Sequence, residues 1–162
     1  MEYICKDDDG NVFVSFEQTN EDVLSADPRF THCLAVVRTG DDYLLGRNKW
    51  RGRYEIFGGC REQGESARAC ISRECREELG IINEEIIYLG AMKFLMKPDY
   101  FSSQERIELG GLYGISLPET DIDALYDRIP DKNEITKLAL YSEIKGKEPI
   151  AAIDEKLLEY YK

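Results

Sequence analysis

The order of apolar and polar residues predicts an α/β fold, a mixed β-sheet with helices packed on it. Three observations carry that prediction. Short β-rich runs come first, one strongly patterned helix sits mid-chain, and two long strands with further helical segments follow. The 162 residues suffice for one domain with a substantial core. No repeat, low-complexity tract or Gly/Ser/Pro linker breaks them, so residues 1–162 are expected to form that one domain.

Each element has its own warrant. Tyr3 to Lys6 and Val12 to Phe16 flank Asp-Asp-Asp-Gly-Asn and read as a hairpin. Residues 17 to 30 are polar and read as loop. Cys33 to Val37 is a continuous apolar run, expected to be buried on both faces; after Thr-Gly-Asp-Asp, Tyr43-Leu44-Leu45 completes a second hairpin. Tyr54 to Phe57 reads as a short strand ending at Gly58-Gly59. Ser66 caps a helix in which Ala67, Ile71, Cys75 and Leu79 recur at i+4 and which Gly80 stops. Ile86 to Leu95 and Ile107 to Leu117 are strands rich in β-branched and aromatic residues. Thr120 is expected to cap a short helix to Tyr126, Ile135 to Tyr141 fits strand or helix with strand preferred, and Asp154 reads as the cap of a terminal helix to Tyr161.

Charge narrows the function. The net charge of −11 sets a repulsive field against a polyanion, which argues against a nucleic-acid partner and leaves room for a small anionic substrate behind a bound cation. No apolar run approaches the ~20 residues of a membrane-spanning helix. The acidic N-terminus does not read as a secretory leader, so a cytoplasmic setting is expected. Cys5, Cys33, Cys60, Cys70 and Cys75 form no CxxC pair and no disulfide framework. His32 is the sole histidine; its apolar neighbours place it in a half-buried strand, and no GxSxG accompanies it for nucleophilic catalysis.

The chemistry lies in Gly59 to Ile81, GCREQGESARACISRECREELGI. Glu65 precedes the helix, while Glu74, Glu77 and Glu78 fall within an arc of roughly 100° on it. Like charges at that spacing destabilise an isolated helix, and clustered carboxylates are what a hard cation such as magnesium prefers. On spacing alone, a metal site and a solvated acidic face both fit.

Gly59, Glu65 and Arg73-Glu74-Cys75-Arg76-Glu77-Glu78-Leu79-Gly80-Ile81 resemble the Nudix box, GX5EX7REUXEEXGU, at all seven fixed identities. Cys75 at the first aliphatic position is a mild departure. The 23-residue match, with its Phe57-Gly58-Gly59 lead-in, identifies the chain as similar to the Nudix hydrolases. The resemblance implies a Nudix-type α/β/α sandwich with a mixed sheet. It also implies magnesium, with manganese as the alternative ion, and hydrolysis of a nucleoside diphosphate linked to another moiety. By position, Glu74, Glu77 and Glu78 would bind metal with the Gly59 carbonyl, Glu65 would buttress the loop and Arg73 would hold a carboxylate. The general base is either Glu74 or a distal glutamate. Glu134 resembles the late loop-to-strand position that supplies it in some members, and Glu105 and Glu108 are weaker choices.

Substrate contacts are expected just before the box, where the basic run Arg47, Lys49, Arg51 and Arg53 stands out from the acidic chain and would meet phosphates. Trp50, Tyr54 or Tyr113 would stack on a base or close the pocket. ADP-ribose, nucleotide sugars and nucleoside triphosphates all remain open, since Pro98 only approximates the family's ADP-ribose marker. Action on capped RNA is disfavoured by charge. Isopentenyl-diphosphate isomerase chemistry lacks its cysteine and histidine motifs. The rival reading is a catalytically silent binding module of the same fold. A homodimer or scaffold role would rest on Ile153 to Tyr161, which reads better as a helix docked on its own domain.

Overall fold

The computed structural model describes residues 2–82, 84–118 and 121–162. The chain runs β1 (Cys5–Lys6), β2 (Val12–Glu17), α1 (Glu21–Ala26), β3 (Phe30–Thr39), β4 (Asp42–Asn48), β5 (Tyr54–Glu55), β6 (Phe57–Cys60) and α2 (Ala67–Leu79). It continues with β7 (Ile86–Met96), β8 (Arg106–Leu117), α3 (Ile122–Asp127), β9 (Ile135–Leu140), α4 (Tyr141–Ile144) and α5 (Ala152–Leu157), then a 3₁₀ turn over Leu158–Tyr160. Among the described residues, nine strands form one mixed sheet ordered β1-β2-β7-β8-β3-β4-β5. β3 and β8 pair in parallel, while the other pairings are antiparallel.

β3 changes partner along one edge. Val37 to Thr39 pair with β4, whereas His32 to Ala35 pair with β6. β4 has by then turned away to pair with β5 and β9. The sheet therefore splits beside Gly58 and Gly59, and α2 lies across the split. The period-2 alternation of β3 sends Cys33, Ala35 and Val37 toward α2 and Val36 to the other face. On the α2 side, Cys70, Ile71, Cys75 and Leu79 join Leu24 of α1 and Leu125 of α3 in one core. On the far side, Phe13, Leu45, Met92 and Leu112 pack under Ile144, Ile153 and Leu157 from α4 and α5. These are three layers, helices–sheet–helices.

α2 begins and ends as expected. The Ser66 side chain accepts the Ala69 N–H, and Gly80 adopts a left-handed cap at φ 66°. Several boundaries differ from expectation. Residues 17 to 30 are not all loop: Asn20 caps α1 through the N–H groups of Asp22 and Val23. α1 docks on the start of α2, where Ser25 Oγ accepts the Ala67 N–H at 2.9 Å and Glu21 pairs with Arg68 at 3.0 Å. Strand does not stop at Gly58-Gly59, because both glycines pair with β3. Thr120 lies outside the described residues, and Asp121 caps α3 by accepting the Asp123 N–H. The terminal helix starts three residues early, with Ala151 at the cap position, which moves Asp154 off the cap; its carboxylate instead accepts the Ile56 N–H at 3.0 Å. Ile153, Leu157 and Leu158 are buried, so that segment is docked on the sheet. No helix among the described residues is long and apolar enough to cross a membrane.

Candidate active site

Two glycines let α2 close against the sheet. Gly58 has φ +135°, and a Cβ there would sit 2.1 Å from the Cys33 carbonyl oxygen, a clash with backbone that no side chain relieves. A Cβ on Gly59 would sit 2.7 Å from Glu74 Oε1. The space a side chain would fill is thus the space in which the Glu74 carboxylate lies.

The three helix carboxylates meet different surroundings. Glu74 and Glu78 are buried, while the Glu77 side chain is 50% exposed. Glu78 Oε1 accepts the Gly58 N–H at 2.6 Å. Burial pushes the Glu78 carboxyl up to about 9, helped by the negative charges of Glu134, Glu74 and Glu55. Burial also raises Glu74, against the pull of Arg73. Among the described residues, no Lys, Arg or His pairs with Glu78 within ion-pair distance.

Arg73 ties the box together. Its Nε and Nη2 make a two-pronged contact with Glu65 at 2.8 and 3.0 Å, Nη1 reaches Glu74 at 2.9 Å and Glu77 at 3.3 Å, and Nη2 also donates to the Cys60 carbonyl at 2.9 Å. That contact with Arg73 lowers Glu65 below the usual carboxylate range. Glu65 and Arg73 thus clamp the loop to the helix. The Gly59 carbonyl accepts the Cys70 thiol at 3.7 Å.

Glu134, distant in sequence, arrives at the head of β9. It is half-buried, raised by that burial, and electrostatically coupled to Glu74, Glu77 and Glu78. Glu105 pairs with Lys97 at 2.6 Å, and Glu108 with Arg106 at 2.8 Å and Thr31 at 2.9 Å; both are engaged in ties of their own.

The basic run divides. Arg51 and Arg53 converge on Glu55, at 2.6 and 3.0 Å, so part of their charge is spent within the protein. Arg47 is half-buried on β4 with its guanidinium beside Gly52, and Lys49 is exposed. Trp50 is 68% exposed at the tip of the β4–β5 turn. Tyr54 is corrected: it is 3% exposed and packs in the far-side core, because it shares a strand face with Ile56. Tyr113 is likewise core, its hydroxyl donating to Glu21 at 2.7 Å. Two residues have no role in the sequence reading: Glu55, which receives both arginines, and Asn48, buried at the end of β4; Asp154 has a different one, as a helix cap. The one available signal was Asn48 itself, a turn-forming residue four positions before Gly52.

Does the donor set suit a divalent cation? Among the described residues, no three His, Cys, Asp or Glu side chains are gathered into a ready-made metal shell. Magnesium does not require one, since it commonly takes one or two carboxylates and completes its shell with water and phosphate oxygens. Two buried carboxylates one helical turn apart, one of them with no basic partner, supply what such an ion needs.

The family model described as NUDIX domain matches residues 28–159. Over 71 residues the chain is 38% identical to the NAD-capped RNA hydrolase NudC of Pseudomonas putida (strain GB-1), covering 42% of this chain and 26% of that protein. NudC of Pseudomonas aeruginosa (strain LESB58) gives 36% over 70 residues, 41% of this chain and 25% of that one. The match spans about a quarter of these relatives' length. Among solved structures, the Bacillus subtilis pyrophosphohydrolase BsRppH superposes with a TM-score of 0.67 at 22% identity, covering 99% of this chain and 93% of that one. The NUDIX domain of Shewanella oneidensis NrtR, complexed with ADP ribose, superposes with a TM-score of 0.58 at 16% identity, covering 88% and 96%. These superpositions speak to fold.

Proposed function

Because this chain belongs to the Nudix hydrolase family, we propose that it is a magnesium-dependent hydrolase of the pyrophosphate bond in a small nucleoside diphosphate derivative. One observation carries the proposal. Glu74 and Glu78 are buried beside Gly58 and Gly59, held there without a basic partner for Glu78. Such burial costs stability unless a ligand offsets it.

Glu74, Glu77 and Glu78, with the Gly59 carbonyl, would hold the ion. Bound there, a magnesium ion neutralises phosphate charge and lowers the pKa of water. Arg73 keeps the Glu74 carboxylate from rotating away, and Glu65 keeps Arg73 in place. Burial raises the Glu134 carboxyl, the direction that favours a general base, and Glu134 takes the proton from the attacking water. The water oxygen forms its bond to phosphorus as the bridging P–O bond opposite it breaks, and the phosphorylated partner departs with the bridging oxygen. Arg47 and Arg53 face the phosphates, and the exposed face of Trp50 offers a stacking surface for a base.

A small substrate is favoured over an RNA-linked one by the net charge of −11. The test is a panel of ADP-ribose, nucleotide sugars, nucleoside triphosphates, NADH and NAD-capped RNA, each with magnesium, manganese or chelator. Cleavage of a small diphosphate, dependent on added metal, is expected. Preferential cleavage of the capped RNA would reassign the substrate class to that of the NudC relatives. Tight binding with no bond cleaved across the panel would make the protein a binding module.

A further inference from the structure

We infer that Asn48 is a positioning residue that locks the β4–β5 turn to the Glu134 carboxylate; this rests on the reading above that Glu134 assists the base. Its side chain is 3% exposed, yet every end of its amide is used. Oδ1 accepts the N–H groups of Trp50 and Arg51, each at 3.0 Å, and Nδ2 donates to Glu134 Oε1 at 3.5 Å. The backbone repeats the connection. Asn48 N–H donates to the Arg53 carbonyl and Gly52 N–H to the Asn48 carbonyl, both at 2.9 Å, which closes the turn. Lys49 N–H donates to the Glu134 carbonyl at 2.8 Å, which fastens it to β9. The β4–β9 register shifts between Arg47 and Asn48, an irregularity that re-aims the side chain at this point.

The residue type follows from the chemistry. Aspartate would accept both turn N–H groups but repel Glu134, serine would reach the turn alone, and glutamine is one methylene too long. An uncharged donor holds one Glu134 oxygen without neutralising the carboxylate, which leaves Oε2 for the water. The surface that would stack on substrate, Trp50, and the group that would take the proton are thereby held by a single amide. Two separable effects follow: KM through the turn, and kcat through Glu134.

Trp50 is the chain's single tryptophan, so its fluorescence anisotropy reports the turn without any substrate. Kinetics would be read on whichever of ADP-ribose, NADH and ATP is cleaved fastest with magnesium. Asn48→Asp is expected to keep the parent's anisotropy and a KM within about twofold, and to lose kcat by about tenfold or more. In a Glu134→Gln background the same change should add less than about twofold, because its target is gone. Asn48→Ala should lower the anisotropy and raise KM. If Asn48→Asp unfolds, Asn48→Ser, which also keeps an acceptor for the turn but cannot reach Glu134, replaces it. A strong Glu134→Gln defect beside normal kcat in Asn48→Asp would overturn the inference and leave the base reading intact. Normal turnover in Glu134→Gln would remove the base reading and the inference with it. If the parent cleaves nothing, unchanged anisotropy in Asn48→Ala would overturn the turn-locking half by itself.

Discussion

Two carboxylates reach the same short stretch of backbone from opposite faces of the sheet. From α2, Glu78 accepts the Gly58 N–H at 2.6 Å; from α5, Asp154 accepts the Ile56 N–H at 3.0 Å. Residues 56 and 58 are alternate positions, so the strand between the helices is held at both by side chains where a neighbouring strand would otherwise supply acceptors. Both acids are raised by burial, Glu78 to about 9 and Asp154 to about 7. What surrounds them differs. Asp154 has Arg53 and Arg51 to lower it against Glu55, whereas Glu78 faces Glu134, Glu74 and Glu55 with no basic residue to offset them. Equal backbone duty thus comes with unequal electrostatic support, and under the proposed function Glu78 is the one of the two that would meet a ligand.

The largest expected effect breaks both sides at once. Gly58→Ala places a Cβ against the Cys33 carbonyl at a φ that L-residues avoid, so β6 must leave β3 or shift along it. A loss of a few kcal/mol is expected, with metal binding lost as well. Denaturant unfolding and magnesium calorimetry on the variant would check this; a parent-like midpoint would show that the stretch is not held as described.

Next comes Glu78→Gln, which tells the two ties apart. The amide oxygen still accepts from Gly58, but the charge is gone. Hydrolysis is expected to fall by 10²-fold or more if Glu78 holds the ion, on the order of what one electrostatic stabiliser contributes. The folded-state value of about 9 lies above the unfolded value of about 4.3. Stability from the protonated acid is therefore full below about pH 4 and lost as pH rises through about 9. In chelator at pH 8 the variant should thus be the more stable of the two. Magnesium should stabilise the parent and not the variant. A variant that magnesium stabilises as much as it stabilises the parent would place Glu78 with Asp154 as a structural tie.

The same contrast explains what could be read from sequence. The α2 box was legible because its signals are local: Ser66 and Gly80 bound it, the i+4 apolar ridge faces it inward, and its seven fixed identities need no knowledge of the fold. The continuation of β6 through Gly58-Gly59 was not, since paired glycines read as a strand end until β3 is seen to fill the space a side chain would take. α1 was hidden by brevity: six residues bury only Leu24, too few for a period to show. Tyr54 carries two conflicting signals, an aromatic ring suited to a base and strand parity with Ile56, and in the fold parity decides. Asp154 looked like a cap because it precedes an apolar run, and only the tertiary approach of α5 to Ile56 reassigns it. Glu134 was placed by its resemblance to a family position, and the fold does bring it into the electrostatic reach of the box.

The smallest effect is the sharpest comparison. Asp154→Asn keeps an oxygen for the Ile56 N–H and removes a charge that no ligand awaits. Its folded-state value of about 7 stands above the unfolded value of about 3.9. The parent's stability from this group is full below about pH 4 and lost as pH rises through about 7. Variant and parent should therefore unfold together near pH 4. By pH 8 the variant should be the more stable of the two. Turnover and magnesium affinity should match the parent at every pH, since α5 lies across the sheet from the box. Thermal unfolding at pH 4, 6 and 8 in chelator and in magnesium decides it. If magnesium changes the gap between Asp154→Asn and its parent, the two faces are coupled through Ile56–Gly58, and the division between tie and ligand site fails at that strand.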